Sequence, residues 1–123
     1  MSSIKLLNQL VQYFFKHQIV MKMYHFQTKK YGAHKASDSY LDTFLGKFDS
    51  FMEIAQGAYG TLDLQQTEMN IIMVNDETIF THLDEYIETL KSLDSRIKHT
   101  ALINLRDEML GDTDQLKYLL KFQ

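Results

Sequence analysis

His34, Asp38, Asp42, Asp49 and Glu53 are spaced so that one helix would carry all of them along a single side. At about 100° per residue they fall within an arc of roughly 100°. Imidazole nitrogen and carboxylate oxygen are donors that suit iron, manganese or zinc. The i,i+4 spacing of Asp49 and Glu53 lets both acids converge on one ion, and an ion with open coordination positions admits an oxidant. Like charges four residues apart weaken a bare helix slightly. A row of acids with no lysine or arginine set among them as an i,i+4 partner therefore invites a cation. That cation is either a metal or a basic side chain from another helix. The plain alternative is a solvated acidic face that aids solubility.

The remaining ionisable residues point less sharply to chemistry. His17 lies on an apolar row between Tyr13 and Val20, which predicts a hydrogen-bonded core histidine. His82 and His99 have no acid at ligand spacing facing a common direction and are expected at the surface. Asp107, Glu108, Asp112 and Asp114 read as a solvated face, with Arg106 and Lys117 near enough to offset it. The seven methionines, Met21, Met23, Met52 and Met69 among them, read as adaptable core filler. No glycine-rich phosphate loop and no nucleophile triad can be assembled.

Positioning the stripe requires helices, and the chain is well suited to them. It contains no proline, the strongest helix breaker. Residues 2–28 form a first helix, with Ser2 as its cap and one broad apolar face that includes Leu6, Leu10, Phe14, Val20 and Met21. A short basic turn at residues 29–32 follows. The second helix spans residues 33–59, with Tyr40, Leu41, Phe44, Leu45, Phe48, Phe51, Met52, Ala55 and Tyr59 as its core stripe. Gly57 and Gly60 mark its end. Residues 61–75, with the apolar run 71–74, fit a buried connector, a short strand or the start of the next helix. Asp76 is the expected cap of a third helix bearing Ile79, Leu83, Tyr86, Ile87 and Leu90. A turn at residues 93–95 leads to a fourth helix carrying Ile97, Ala101, Leu102, Leu105, Met109, Leu116, Leu119 and Leu120. Four helices with mostly short connections pack most economically as an antiparallel bundle, so the expected fold is all-α.

Composition narrows the function. At 123 residues the chain forms one domain, and its 45% apolar content can build a core without staples. With no cysteine, disulfides, thiolate metal sites and iron–sulfur clusters are excluded, and a reducing compartment is favoured. The net charge of −3 argues against a broad hold on DNA. Charges interrupt every apolar stretch before a membrane-spanning length, and residues 1–10 lack the features of a signal peptide. The expected location is the cytosol or the interior of an assembly. The first two helices are distinctly longer than the third, and a bundle of unequal helices leaves apolar surface exposed at one end or side, which points to a homodimer or higher homo-oligomer.

The run Tyr24-His25-Phe26, followed by His34-x3-Asp38-x10-Asp49-x3-Glu53, resembles the signature of Dps-like members of the ferritin superfamily. The match covers residues 24–53. The resemblance implies a ferritin-like four-helix bundle with His25, His34, Asp38, Asp49 and Glu53 as ligands for iron. It further implies that the site is shared across a two-fold interface, with His25, His34 and Asp38 of one subunit facing Asp49 and Glu53 of the other. The activity implied is iron(II) binding with oxidation by peroxide or oxygen, beside a dry wall of Phe44, Phe48 and Phe51. Zinc or manganese would suit the same ligands. Asp42 is an accessory acid outside the family's set. The chain departs from the family in a shorter loop after His25, in Phe26 where tryptophan is usual, and in a short third helix. Small ferritin-like proteins of large DNA viruses are similar in these reductions. They supply the alternative expectation, a structural or interaction module in the same fold, inside a viral particle.

Overall fold

The computed structural model describes residues 3–122, so Ser2 and its expected capping role lie outside the described residues. The described chain contains helices and connecting segments and no strand. Helix α1 is Ser3–Gln27, α2 Tyr31–Tyr59, α3 Ile79–Lys91 and α4 Thr100–Leu120, with a short 3-10 turn at Ser92–Ser95 after α3.

The α1–α2 hairpin is held by aromatic rings. Phe14 of α1 meets Phe44, Phe48 and Phe51 of α2 at ring-centre distances of 6.1, 5.2 and 5.5 Å. Tilted and edge-on contacts of this kind add to the burial of large apolar surfaces. Pairing Phe14 with Phe48 fixes the antiparallel register, so His25, near the end of α1, falls opposite Ser37 and His34 of α2. The hairpin loop is only three residues long and is tied by the Lys30 N–H donating to the Thr28 hydroxyl at 3.2 Å.

Helix α3 runs antiparallel to α1: Tyr86 stacks on Tyr13, His82 meets His17, and Asp76 at the near end reaches Tyr24. Helices α2 and α3 therefore run in the same direction. The chain links them by an irregular segment, residues 60–78, that travels the length of the bundle. At about 3.3 Å per extended residue it has ample reach to return along α2. The bundle thus consists of two antiparallel hairpins, α1–α2 and α3–α4, joined by one long crossover. The segment at residues 61–75 is neither strand nor helix. Only Val74 of its apolar run is buried, while Ile72 and Met73 stay exposed.

Two details of this crossover differ from the sequence reading for clear reasons. Asn75, not Asp76, makes the capping bonds of the turn that leads into α3, its Oδ1 accepting from the backbone N–H groups of Glu77 and Thr78 at 2.9 and 2.8 Å. Asp76 turns back to the first hairpin instead. Its carboxylate accepts from the Tyr24 hydroxyl at 2.9 Å, the Thr28 hydroxyl at 2.5 Å and the Lys29 N–H at 3.1 Å. Helix α4 buries Leu102, Arg106, Met109, Thr113, Leu116 and Leu120, whereas Ala101 and Leu119 of the expected stripe are exposed. Arg106 is no solvated counter-charge. Its buried guanidinium donates to the Leu90 carbonyl at 2.8 Å and bonds Asp94 and Asp107 at 2.5 and 2.9 Å, tying α4 to the end of α3.

Burial alone would raise the Asp76 carboxyl, but the Thr28 hydroxyl, the Lys29 N–H and the Tyr24 hydroxyl outweigh it and hold the group below its ordinary value. The stabilisation it provides is present above the unfolded carboxyl pKa of about 4 and is lost as pH falls through the folded value. Asp76→Ala is expected to cost about 1 kcal/mol at pH 7, because the carboxylate is only partly shielded from water. Urea denaturation at pH 7 and at pH 3 checks this, with the difference between the two proteins shrinking at the lower pH.

Candidate metal-binding site

His25, His34 and Asp38 come together at the turn between α1 and α2. The imidazole rings of His25 and His34 stack with centres 4.0 Å apart and planes 17° from parallel. Each ring bonds the other residue's backbone. His25 Nδ1 lies 2.9 Å from the His34 carbonyl oxygen, and His34 Nδ1 lies 3.0 Å from the His25 carbonyl oxygen. A carbonyl can only accept, so both Nδ1 atoms carry the hydrogen. In the neutral rings Nε2 is then the lone-pair nitrogen, the atom that can ligate a metal. The Ser37 hydroxyl donates to the same His34 carbonyl at 3.1 Å and offers its oxygen to His25 Nδ1 at 3.1 Å. Metal-bound imidazoles are commonly held in this manner, with the second nitrogen donating to a backbone carbonyl.

His25 Nε2 lies 4.0 Å from Asp38 Oδ1. His25 is buried, whereas His34 and Asp38 are exposed. The short hairpin loop, a departure from the resembled family, therefore leaves His25 in contact with its neighbours. Asp49 and Glu53 lie on the same side of α2, both exposed, but about 16 Å further along the helix at 1.5 Å per residue. One chain cannot bring them to an ion held at His25. Accordingly, among the described residues no three His, Asp or Glu side chains converge closely enough to hold a metal. Lys47 turns away from the stripe and bonds Asp112 of α4 at 2.5 Å.

The stripe borders α1. On this outer α1–α2 face Phe15, 41% exposed, packs edge-on against Phe48 at 5.1 Å, with Ile19 and Phe26 further along the same side of α1. Leu45, expected in the core, is 41% exposed here as well. It stands one turn beyond Leu41 but is rotated past the hairpin seam, out among the acids.

The model of the family described as a family of unknown function (DUF5856) matches residues 25–120, from the first histidine of the cluster to the last turn of α4. The chain belongs to the DUF5856 family. No curated protein and no solved structure matches it. The matched span takes in His25, His34, Asp38, Asp49 and Glu53, and it leaves out the first six turns of α1.

Of the other three histidines of this DUF5856 chain, one stands as its spacing predicts and two lie deeper than the surface positions expected. His17 is buried and hydrogen-bonded, as its apolar row predicts. His82 is not a surface residue. It sits half-buried against His17, with Nε2 3.0 Å from His17 Nδ1. The missed signal is that His82 and Tyr86 share the i,i+4 row of α3's buried face. His99 is half-buried and meets Tyr59 at 6.2 Å.

If the two carbonyl bonds set the protonation, long-range proton–nitrogen NMR at neutral pH should show both His25 and His34 as Nδ1–H tautomers. Detection of an Nε2–H form at either residue would contradict the arrangement.

Proposed function

We propose that this chain is a ferritin-like iron-binding protein whose metal site is completed by a second copy of itself. The observation that carries the proposal is the reciprocal imidazole–carbonyl clamp at His25 and His34. It leaves the Nε2 lone pair of both rings uncommitted, that of His25 4.0 Å from the Asp38 carboxylate, and leaves the rest of the ligand set to come from elsewhere. The topology supports the same reading, because two antiparallel hairpins joined by one long crossover is the arrangement of ferritin-like bundles.

The spacing of the stripe supplies the partner. A two-fold interface requires that if one residue meets another, the second also meets the first in the symmetry copy. Asp38 and Asp49 lie equally far on either side of the Thr43–Phe44 peptide, and so do His34 and Glu53. Two α2 helices crossing antiparallel near that peptide would set His34 and Asp38 of each chain against Glu53 and Asp49 of the other. The exposed Phe15, Ile19, Phe26 and Leu45 lie on the same face and give such an interface apolar surface to bury. Two equivalent sites result, each with two imidazoles and three carboxylates.

Iron(II) is the substrate in this reading. Imidazole and carboxylate donors suit it, and carboxylates stabilise the ferric product. Peroxide or oxygen would take the electron, and the protein would contribute the ligands and the phenylalanine wall behind them. Zinc and manganese are the competing cargo for the same donors. A second reading, a ferritin-like interaction module without metal chemistry, is favoured by the exposure of Asp38, Asp49 and Glu53 in the single chain.

Complementation separates these readings. Asp49→Ala/Glu53→Ala and His34→Ala/Asp38→Ala proteins should each lose iron(II) binding by more than tenfold and lose its accelerated oxidation. After co-refolding of the two variants, mixed dimers carry one intact site, and about a quarter of the wild-type sites should return under random pairing. Iron-binding titration, oxidation of iron(II) followed by absorbance, and solution mass check the outcome. A monomer that binds no iron, with no recovery on mixing, leaves only the interaction module.

A further inference from the structure

A polar chain crosses the middle of the bundle, away from the stripe on α2, and it draws on all four helices. His82 of α3 contacts His17 of α1 through Nε2 and Nδ1 at 3.0 Å. His17 Nε2 contacts the Tyr40 hydroxyl of α2 at 2.7 Å, and that hydroxyl lies 3.4 Å from the Thr113 hydroxyl of α4. The Thr113 hydroxyl is 2.8 Å from the Met109 carbonyl.

One assignment turns every contact into a hydrogen bond. The Met109 carbonyl can only accept, so Thr113 donates to it and accepts from Tyr40. The Tyr40 oxygen then accepts from His17 Nε2–H. The neutral His17 ring is left with a lone pair on Nδ1, which accepts from His82 Nε2–H. The two imidazole planes are 12° from parallel with centres 5.1 Å apart, a nearly coplanar, head-on approach. A metal held in line between the nitrogens would need about 4 Å, at about 2.0–2.1 Å per bond. The observed gap is that of a shared hydrogen.

His17 has no capacity to spare. It is 1% exposed, its ring lies flat on Tyr86 at 3.7 Å, and Phe44 meets it edge-on at 5.1 Å. A second proton could enter only at Nδ1, where it would face the His82 N–H; the contact survives only if His82 shifts its own hydrogen to Nδ1, and the charge then stays sealed among aromatic rings. His82 differs. It stands on the wall of a cavity of about 270 Å³ between α1, the crossover segment and α3, lined also by Lys16, Ile72, Met73 and Glu85. A proton added to its Nδ1 leaves the bond to His17 in place.

We propose that His17 is an acid-sensitive latch on the seam between α1 and α3: gaining one proton, it uncouples α3 from α1 and opens the cavity beneath the crossover segment. The groups around it do not offset the charge. From α3 it meets His82 and Tyr86, with Glu85 beyond at His82; from α2 it meets Tyr40 and Phe44. Thr113 and Asp112 of α4 stand behind Tyr40, and Lys16 and Tyr13 flank it on α1. The Glu85 carboxylate acts on His82 and that of Asp112 on the tyrosines, while Lys16 opposes a further positive charge at His82. Burial first, and His82 second, hold His17 well below the ordinary imidazole value. The opened state therefore binds more protons, and the latch is fully engaged above about pH 6.5 and weakens as pH falls below it.

Hydrogen exchange of the whole protein, corrected for the intrinsic pH dependence, tests this at pH 7.5, 6.5 and 5.5. In the wild type the opening constant of α3 should rise by up to about tenfold per pH unit below 6.5, ahead of that of α2. His17→Gln, which keeps one donor and one acceptor but takes no proton, should remove most of the rise, leaving the smaller part that comes from His82, whose value burial also lowers. His82→Gln, which keeps the donor to His17, should retain the larger part. The proposal is overturned if His17→Gln shows the wild-type response or if His82→Gln abolishes it. Should His17→Gln not fold, imidazole NMR of the wild type decides. His17 must stay neutral while α3 is protected, and its titration near pH 6.5 within a protected α3 would be fatal to the idea.

Discussion

The register of α1 against α2 governs what the rest of this molecule can do. It is set by Phe14 seated among Phe44, Phe48 and Phe51, three rings on successive turns of the same face. A slip by one helical turn would carry His25 past His34 and remove both carbonyl bonds at once. The same register places His17 against Tyr40 and Phe44, and so determines the polar chain as well. Apolar packing near the middle of the hairpin thus positions polar atoms toward its end. Large rigid rings suit this role, because small errors of alignment cost contact area immediately.

The elements themselves were legible from periodicity, because an apolar face at helical spacing must be buried somewhere. Helix α2 and the order of the ligand-type residues on it follow from spacing alone. What spacing could not convey was which polar residues join the buried rows. Arg106, Thr113 and His82 occupy interior positions because partners distant in sequence satisfy them: Leu90, Tyr40 and His17. A one-dimensional pattern has no means of registering such pairs. The opposite error at Leu45 and Leu119 has a related origin. Both sit at the margin of a wide apolar arc, where a rotation of some tens of degrees separates core from surface.

The candidate site was legible only in part. The row of His34, Asp38, Asp49 and Glu53 is a statement about one helix, and that helix is present. The stacking of His25 on His34 depends on a tight turn whose geometry follows from Thr28 and Lys30 more than from any ligand-type residue. The exchange of ring N–H and carbonyl between the two histidines is invisible in the sequence, because half of each bond belongs to the backbone. Asp76 shows the same limit. Its position just before an apolar helix suggests a cap, while its carboxylate is taken by donors from the opposite hairpin.

The crossover at residues 60–78 has a consequence for how the molecule assembles. Each hairpin brings together residues close in sequence, so each can form early, at little loss of chain freedom. Docking one hairpin on the other is the step that must wait for distant partners, and the exposed strap contributes few contacts to it. Lengthening that strap costs only loop closure, about 0.6 kcal/mol for each doubling. The molecule is therefore knit across the seam, α2 on α4, as closely as within its first hairpin, and its architecture tolerates change in the tether far better than in that seam.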